Sequence, residues 1–343
     1  MASRFFRPIR AAARDWRVKV LFQNIIGLLP GRLGFKANEV LVNLVRGGVS
    51  ERLDSKERIL KGIENIELLH RHTGFELAGK RVLEVGSGWH GIDLLLFFVL
   101  GAEKITTLDQ NQNLTLAPLL SQIPHFQNPE CLRRLRALKF SEDRLKALLS
   151  AENNFETLDD LLAFMNVSYL VEHSSGYGRL PIEHGSIDLF FSESVIHRIP
   201  TKHLEQLMSL VGTSLMTEDA VFFHRTDQKD INSLDHVDQG LWGLNYLRYS
   251  DFVFDWFLSG KLNSQNRLRE SDFLDIINIS GMTCVHVESC MRSADLEKLK
   301  GFDLADRFKS KDPEDIAIRA SKIVGRRARS DGARELTRGT FVF

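Results

Sequence analysis

The chain has 343 residues, 43% hydrophobic and 26% charged, the balance of a folded globular protein with material for one large domain and additions, or for two. Lys+Arg and Asp+Glu both total 45, so the net charge is zero; this excludes a general polyanion-coating role and predicts no nucleic-acid partner. Three cysteines without C-x-x-C or zinc-ligand spacing need no disulfide framework and predict a reducing, cytoplasmic setting.

Residues 1–72 read as a helical N-terminal extension. Arg4, Arg7, Arg10, Arg14 and Arg17 recur every three or four residues, so a helix would carry them as one stripe; residues 1–30 are a candidate contact for an anionic membrane face, with a basic solvated helix as the plainer alternative. Val20 to Pro30 is too short to span a bilayer, and the basic start lacks a signal-peptide core. Ile59, Ile63, Ile66 and Leu69 recur at helical spacing, with Gly74 as a stop.

From Lys80 the pattern changes. Short β-branched runs at Arg81 to Val85, Lys104 to Leu108, Val167 to Val171, Ile187 to Phe191, Ala220 to Phe223 and Met282 to Val287 alternate with helical stretches, and Asp315 to Val324 reads as one further strand. That alternation predicts an α/β, doubly wound Rossmann-like domain over 73–326 with a mostly parallel seven-stranded sheet. Two segments interrupt it: 114–166, rich in Leu, Arg and Glu, reads as a helical cap insertion, and 226–270, dense in aromatics from Trp242 to Phe257, as a connection that holds an acceptor. Residues 327–343 read as a C-terminal tail, basic and mobile over 327 to 338.

The most informative local pattern is Gly86-Ser87-Gly88-Trp-His-Gly91, a G-x-G-x-x-G directly after the first strand and before an apolar helix. Glycines there permit a tight turn and close backbone approach, and a carboxylate ending the next strand would grip ribose hydroxyls; Asp109 stands 21 residues after Gly88. The plainer alternative is a tight strand-to-helix turn with an unrelated Asp capping a loop.

On these residues, and on Leu180-Pro-Ile-Glu-His-Gly-Ser-Ile-Asp-Leu-Phe-Phe-Ser192-Glu-Ser-Val-Ile-His197-Arg-Ile-Pro200, the chain resembles the class I S-adenosylmethionine-dependent methyltransferases from about Gly79 to Val324. The resemblance implies S-adenosyl-L-methionine as cofactor and places Glu84, Gly86, Ser87, Gly88, Gly91, Asp109, Gln110 and Ser192 around it, with Glu84 supporting its methionine end. Where the family often has Glu-His, this chain has His197-Arg198. Glu172, after the third strand, is a candidate neighbour of the adenine. More narrowly, His224-Arg-Thr-Asp227, Asn245-Tyr-Leu-Arg-Tyr-Ser-Asp251 and Asn266-Arg-Leu-Arg269 are similar to a bacterial branch linked to surface-polysaccharide assembly, which implies a saccharide or similar small-molecule or glycan acceptor.

Methyl transfer to a hydroxyl needs alignment and a proton acceptor. His224, oriented by Asp227, is the expected base, and His197 the floor beside the methyl; each could equally be a satisfied structural histidine. Arg267 and Arg269 could grip an acidic acceptor and Tyr249 could stack on it; the alternative is surface arginine and core aromatic. Asp235, His236 and Asp238 beside His224 and Asp227 read as turn residues rather than a metal site. A nicotinamide-dependent sugar enzyme of the short-chain type is disfavoured because no Tyr-x-x-x-Lys occurs, and no Pro-Pro-Tyr or cysteine follows the fourth strand, which leaves oxygen methylation ahead. A relative that binds cofactor without turnover stays open.

Overall fold

The computed structural model describes residues 15–29, 33–34, 37–38, 40–41, 54–152, 154–172, 177, 179–235, 241–260, 262, 264–328 and 336–342, with 234 and 235 as backbone only. Eight strands build one sheet: β1 Arg81–Val85, β2 Lys104–Asp109, β3 Val167–Val171, β4 Ile187–Glu193, β5 Met216–Asp227, β6 Met282–Met291, β7 Ala320–Arg327 and β8 Thr337–Val342. Their order is β3-β2-β1-β4-β5-β7-β6-β8. Only β7 runs against the others, antiparallel to both β5 and β6. The order reverses between β1 and β4, so the crevice beyond the carboxyl ends of these two strands is where an open sheet of this kind holds a ligand.

Three sequence expectations are corrected here. The sheet has eight strands rather than seven, because residues 337–342, expected in a tail, pair in parallel with β6 from His286↔Thr337 to Met291↔Val342. The last expected strand starts later, at Ala320: Pro313 and the Asp312 cap, which accepts from the Glu314 N–H, commit Pro313–Ala317 to a helical turn. And β5 runs on to Asp227, four residues past its expected end, because Ser192↔His224 and Asp227↔Ala320 pairings continue the ladder on both sides.

Helices cover both faces because the central strands are apolar on both. Phe191 and Phe223 turn to one face, Phe190 and Phe222 to the other, and all four are fully buried. The first face is covered by α2 (Ser55–Thr73) and α3 (Ile92–Val99), α1 being Trp16–Gly27. Ile59, Ile63, Ile66 and Leu69 are the buried side of α2, and Gly74 ends it at φ 72°. Gly62 lets α2 and α3 close together, since a Cβ there would stand 2.3 Å from Leu96. The 114–166 insertion folds as short helices, α4 (Pro129–Ala137), α5 (Glu142–Ala151) and α6 (Leu158–Phe164) among them. Their Leu135, Leu148 and Leu161 join the core of α2 and α3, and Arg134 pairs with Glu67 of α2, so the insertion buttresses one flank of the sheet. The second face carries α7 (Thr201–Leu210) and α8 (Glu270–Ile279). No helix among the described residues is long and apolar enough to cross a membrane.

Candidate active site

All three loop glycines stand at positive φ: 86° at Gly86, 63° at Gly88 and 53° at Gly91. They are glycines for different reasons. A Cβ on Gly86 would lie 2.2 Å from Val195, and one on Gly91 would lie 2.7 Å from Leu114, so both positions serve close packing. A Cβ on Gly88 would meet nothing within 4 Å, so the loop is open there. On the amide side of Gly88 stands the Asp109 carboxylate, accepting the Gly88 N–H at 3.2 Å and the Gln110 N–H at 2.9 Å. Burial raises its pKa, and the backbone donors from Gly88, Asn111 and Gln110 pull the other way. Ser87 is half-buried, and Gln110 and Trp89 are exposed around the loop.

Glu84 is sealed beneath this loop, its carboxyl taking the Thr107 hydroxyl at 2.9 Å. Burial, then the nearby Asp93, raises its pKa well above the carboxylate range, and burial with Glu193 moves Asp93 to about 7. Glu84 therefore ties β1 to β2 from inside, with its side chain closed off from solvent.

At the next two strand ends the histidines are placed differently from the sequence expectation. His224 is 0% exposed; its Nδ1 meets the Ser192 hydroxyl at 3.0 Å, its ring lies against Phe222 and Phe190, and its Nε2 is buried without a partner. Asp227 does not orient it. Three positions along a strand put the two side chains on opposite faces. The Asp227 carboxylate instead accepts the Lys229 N–H at 3.1 Å and lies 3.3 Å from the Lys229 ammonium. Ser192, expected at the cofactor, is fully buried and spends its hydroxyl on His224.

His197 is 9% exposed and takes the Asp227 backbone N–H on Nδ1 at 3.2 Å. An N–H can meet only a lone pair there, so the neutral ring carries its hydrogen on Nε2. Burial, with Arg198 and Arg225 nearby, lowers the His197 pKa to about 3, and burial alone does the same for His224. Both rings are neutral at working pH, and neither presents a free basic nitrogen to the crevice.

Arg267 and Arg269 are buried and spent. The Arg269 guanidinium donates to the carbonyls of Gln228, Ile316 and Ile318 and to the Tyr246 hydroxyl. Arg267 donates to the carbonyls of Tyr246 and Tyr249 and to Asp251, and it stacks 4.1 Å over Phe254. Neither fork is free for an acceptor, so both are withdrawn from the expected substrate-binding set. Tyr249 packs beside Trp16 of α1, at 6.5 Å, within a third small core built from the aromatic connection. The two motifs Asn245 to Asp251 and Asn266 to Arg269 thus interlock with one another. His236, Asp238 and the Asp235 side chain lie outside the described residues.

Other residues shape this crevice, some of them inside the motifs quoted above but with no role assigned from the sequence. Asn266 donates to the Ile196 and Ile199 carbonyls and its N–H to the His197 carbonyl, while Gln265 donates to the Lys229 carbonyl; this one segment clamps the β4 turn to the β5 turn. Glu193 ends β4 among Lys61, Asn65 and Arg225, at 2.8 to 3.0 Å, next to Ser194 at φ 60°. The Tyr169 hydroxyl accepts the Asn113 N–H and donates to the Asn111 carbonyl, fixing the loop after β2. The Tyr177 phenol is raised in pKa by burial, then by Asp109 and Glu172. The Glu172 N–H itself donates to the Asp109 carbonyl at 3.0 Å. Tyr169 and Glu193 lie within strands and Gln265 and Asn266 shortly before α8, so no shared local pattern sets these residues apart in the sequence.

No family model and no curated protein matches the chain. Among solved structures it is similar to an S-adenosylmethionine-dependent methyltransferase from Mesorhizobium loti, at 16% identity over 77% of this chain and 96% of that one, TM-score 0.39. It is also similar to geranyl diphosphate C-methyltransferase from Streptomyces coelicolor A3(2), at 10% identity over 82% and 86%, TM-score 0.41. A third likeness is to phosphoethanolamine N-methyltransferase 2 from Haemonchus contortus, at 12% identity over 78% of this chain and 52% of that one, TM-score 0.41.

Proposed function

We propose that the chain is an S-adenosylmethionine-dependent methyltransferase that methylates a hydroxyl of a saccharide or similar polar acceptor, in the cytoplasm and held peripherally at an anionic membrane face. The observation that carries the cofactor reading is the Asp109 carboxylate set against the Gly88 amide where the loop is open, the pairing that a ribose diol beside a backbone cradle needs. The residues fit the cofactor: Gly86, Ser87 and Gly88 would admit it, Asp109 would accept from its ribose, and Gln110 and Tyr177 flank that carboxylate. When bound, the cofactor supplies an electrophilic methyl on a sulfonium.

The chain's own part is alignment and proton removal. Asp227 takes the role of base in this reading, because its carboxylate stands at the β5 end and is partly exposed. His197 contributes an Nε2–H donor, and the Lys229 ammonium lies 3.3 Å from the carboxylate as its counter-ion. The saccharide acceptor rests on the narrower motif resemblance and on this polar strand end. A second reading, cofactor binding without turnover, is favoured by the two spent histidines. Incubation with methyl-labelled cofactor and fractionated extract separates them: a labelled fraction establishes turnover, and cofactor binding with no label in any fraction establishes the second reading.

Two substitutions test the cofactor site. Asp109→Ala should weaken S-adenosylmethionine binding by about 1.5 to 3 kcal/mol, the range for hydrogen bonds to a charged group. Unchanged affinity by calorimetry, or tighter binding of a nicotinamide cofactor by the parent, would remove the reading. Gly88→Ala should leave a folded protein at a cost of roughly 1–2 kcal/mol for a left-handed alanine and lose cofactor affinity. Gly86→Ala should lower the melting temperature more, through the clash with Val195. Equal melting temperatures for the two would mean that the loop is not built as described.

A further inference from the structure

Resting on the peripheral membrane reading above, we propose that the outer side of α1 and residues 252–258 form one surface that inserts into the interfacial layer of an anionic bilayer. The two elements are joined: the Asn24 side-chain amide donates to the Phe257 carbonyl at 3.1 Å. Helix α1 has two distinct sides. Trp16, Lys19, Val20 and Gln23 turn inward, with Trp16 packed near Tyr249. Leu21, Ile25 and Leu28, spaced four and three residues apart, make a second stripe that is left in solvent, Leu28 at 84% exposure. Beside it stand Phe252, Trp256 and Phe257, grouped with ring centroids 6.1 and 6.5 Å from Phe252; Trp256 is 71% exposed. The aromatic connection is therefore divided: Trp242, Tyr246, Tyr249 and Phe254 build core, and these three rings face outward.

A patch of this make-up marks an interaction site in a chain of balanced charge. The occupant follows from charge and residue type. Residues 1–17 contain Arg4, Arg7, Arg10, Arg14 and Arg17 against the single acid Asp15, so the sequence leading into the stripe is strongly cationic; the first four of these arginines lie outside the described residues. Two acids stand within the patch: Asp251, already paired with Arg267 and Arg307, and the exposed Asp255, which the cationic segment must outweigh. Exposed leucine, isoleucine, phenylalanine and tryptophan on elements that follow a run of arginines in the sequence is the composition of a surface that lies in a headgroup layer, where rings sit at the acyl boundary and arginines meet anionic lipid.

The test uses the full-length chain and phosphatidylglycerol-rich vesicles, with phosphatidylcholine vesicles as the neutral arm. Flotation should occur with the acidic vesicles, weaken as salt is raised, and fall at least about tenfold in a Phe252→Ser, Trp256→Ser, Phe257→Ser variant whose melting temperature is unchanged. A Leu21→Ser, Ile25→Ser variant should fall likewise, which guards against a folding defect in either one. Flotation unaffected by both variants, or equal on neutral vesicles, would overturn the proposal. So would a parent dimer in sedimentation that dissociates in the triple variant, because a second copy would then be the occupant of the patch.

Discussion

Replacing Arg269 by methionine should destabilise the fold by about 3 to 5 kcal/mol, since each hydrogen bond to a buried charged donor contributes about 1.5 to 3 kcal/mol and the carbonyls it leaves behind have no water to turn to. For 343 residues at about 2.1 cal/mol/K per residue of unfolding entropy, that is a fall of roughly 4 to 7 °C in melting temperature. The magnitude follows from position. Arg269 is fully buried and ties the β5 end, through the Gln228 carbonyl, to the aromatic connection, through the Tyr246 hydroxyl, and to the residues before β7, through the carbonyls of Ile316 and Ile318. Arg133→Met, on an exposed helix surface with only an i,i+3 partner, serves as control and should move the melting temperature by less than about 1 °C. If Arg269→Met melts like the parent while the acceptor binds more weakly, the arginine belongs to the acceptor site after all.

The difference between Arg269 as anion ligand and Arg269 as internal tie shows what a single sequence conveys. Alternating apolar runs made the sheet legible, because strands buried on both faces must read as Leu-Phe-Phe or Val-Phe-Phe. The glycine loop was legible because three positive-φ positions between a strand and a helix admit few other residues. The place of Asp109, at the end of β2 beside the Gly88 amide, was legible from spacing. The function of Asn-Arg-Leu-Arg was not, because arginine in a loop has the same local signature whether its partner is a ligand or a carbonyl 49 residues away, as with Ile318. The fate of the C-terminal residues was hidden for a similar reason. Thr337 to Val342 carries no long apolar run and five of its six residues stay exposed, so what draws it onto the sheet is the ladder offered by β6 together with the His286 contact to the Thr337 hydroxyl at 2.9 Å. The four extra residues of β5 turned His224 and Asp227 from a pair into neighbours on opposite faces, a change that no motif could register.

Those opposite faces decide which single change should affect turnover most. Asp227→Asn should lower the turnover rate by a factor on the order of 100 to 10,000 at saturating acceptor and neutral pH, the usual range for losing a general base, with cofactor affinity nearly unchanged. The amide keeps the shape of the carboxylate and can still take the Lys229 N–H, so a loss of this size would report proton transfer rather than collapse of the turn. His224→Gln should act on stability instead, because the ring is sealed among Ser192, Phe190 and Phe222 and cannot come within the roughly 3 Å that proton abstraction requires. His197→Gln should weaken acceptor binding more than the chemical step, since only the Nε2–H of the ring is left to offer. The pH dependence makes a separate check. With both histidines lowered to about 3 by burial, neither protonates between pH 5 and 8, so no limb of the kcat profile in that range should disappear when either one is replaced. Collapse of turnover in His224→Gln with an intact melting temperature, together with normal turnover in Asp227→Asn, would hand the base back to the histidine and require the sealed pocket around Nε2 to open when the acceptor binds.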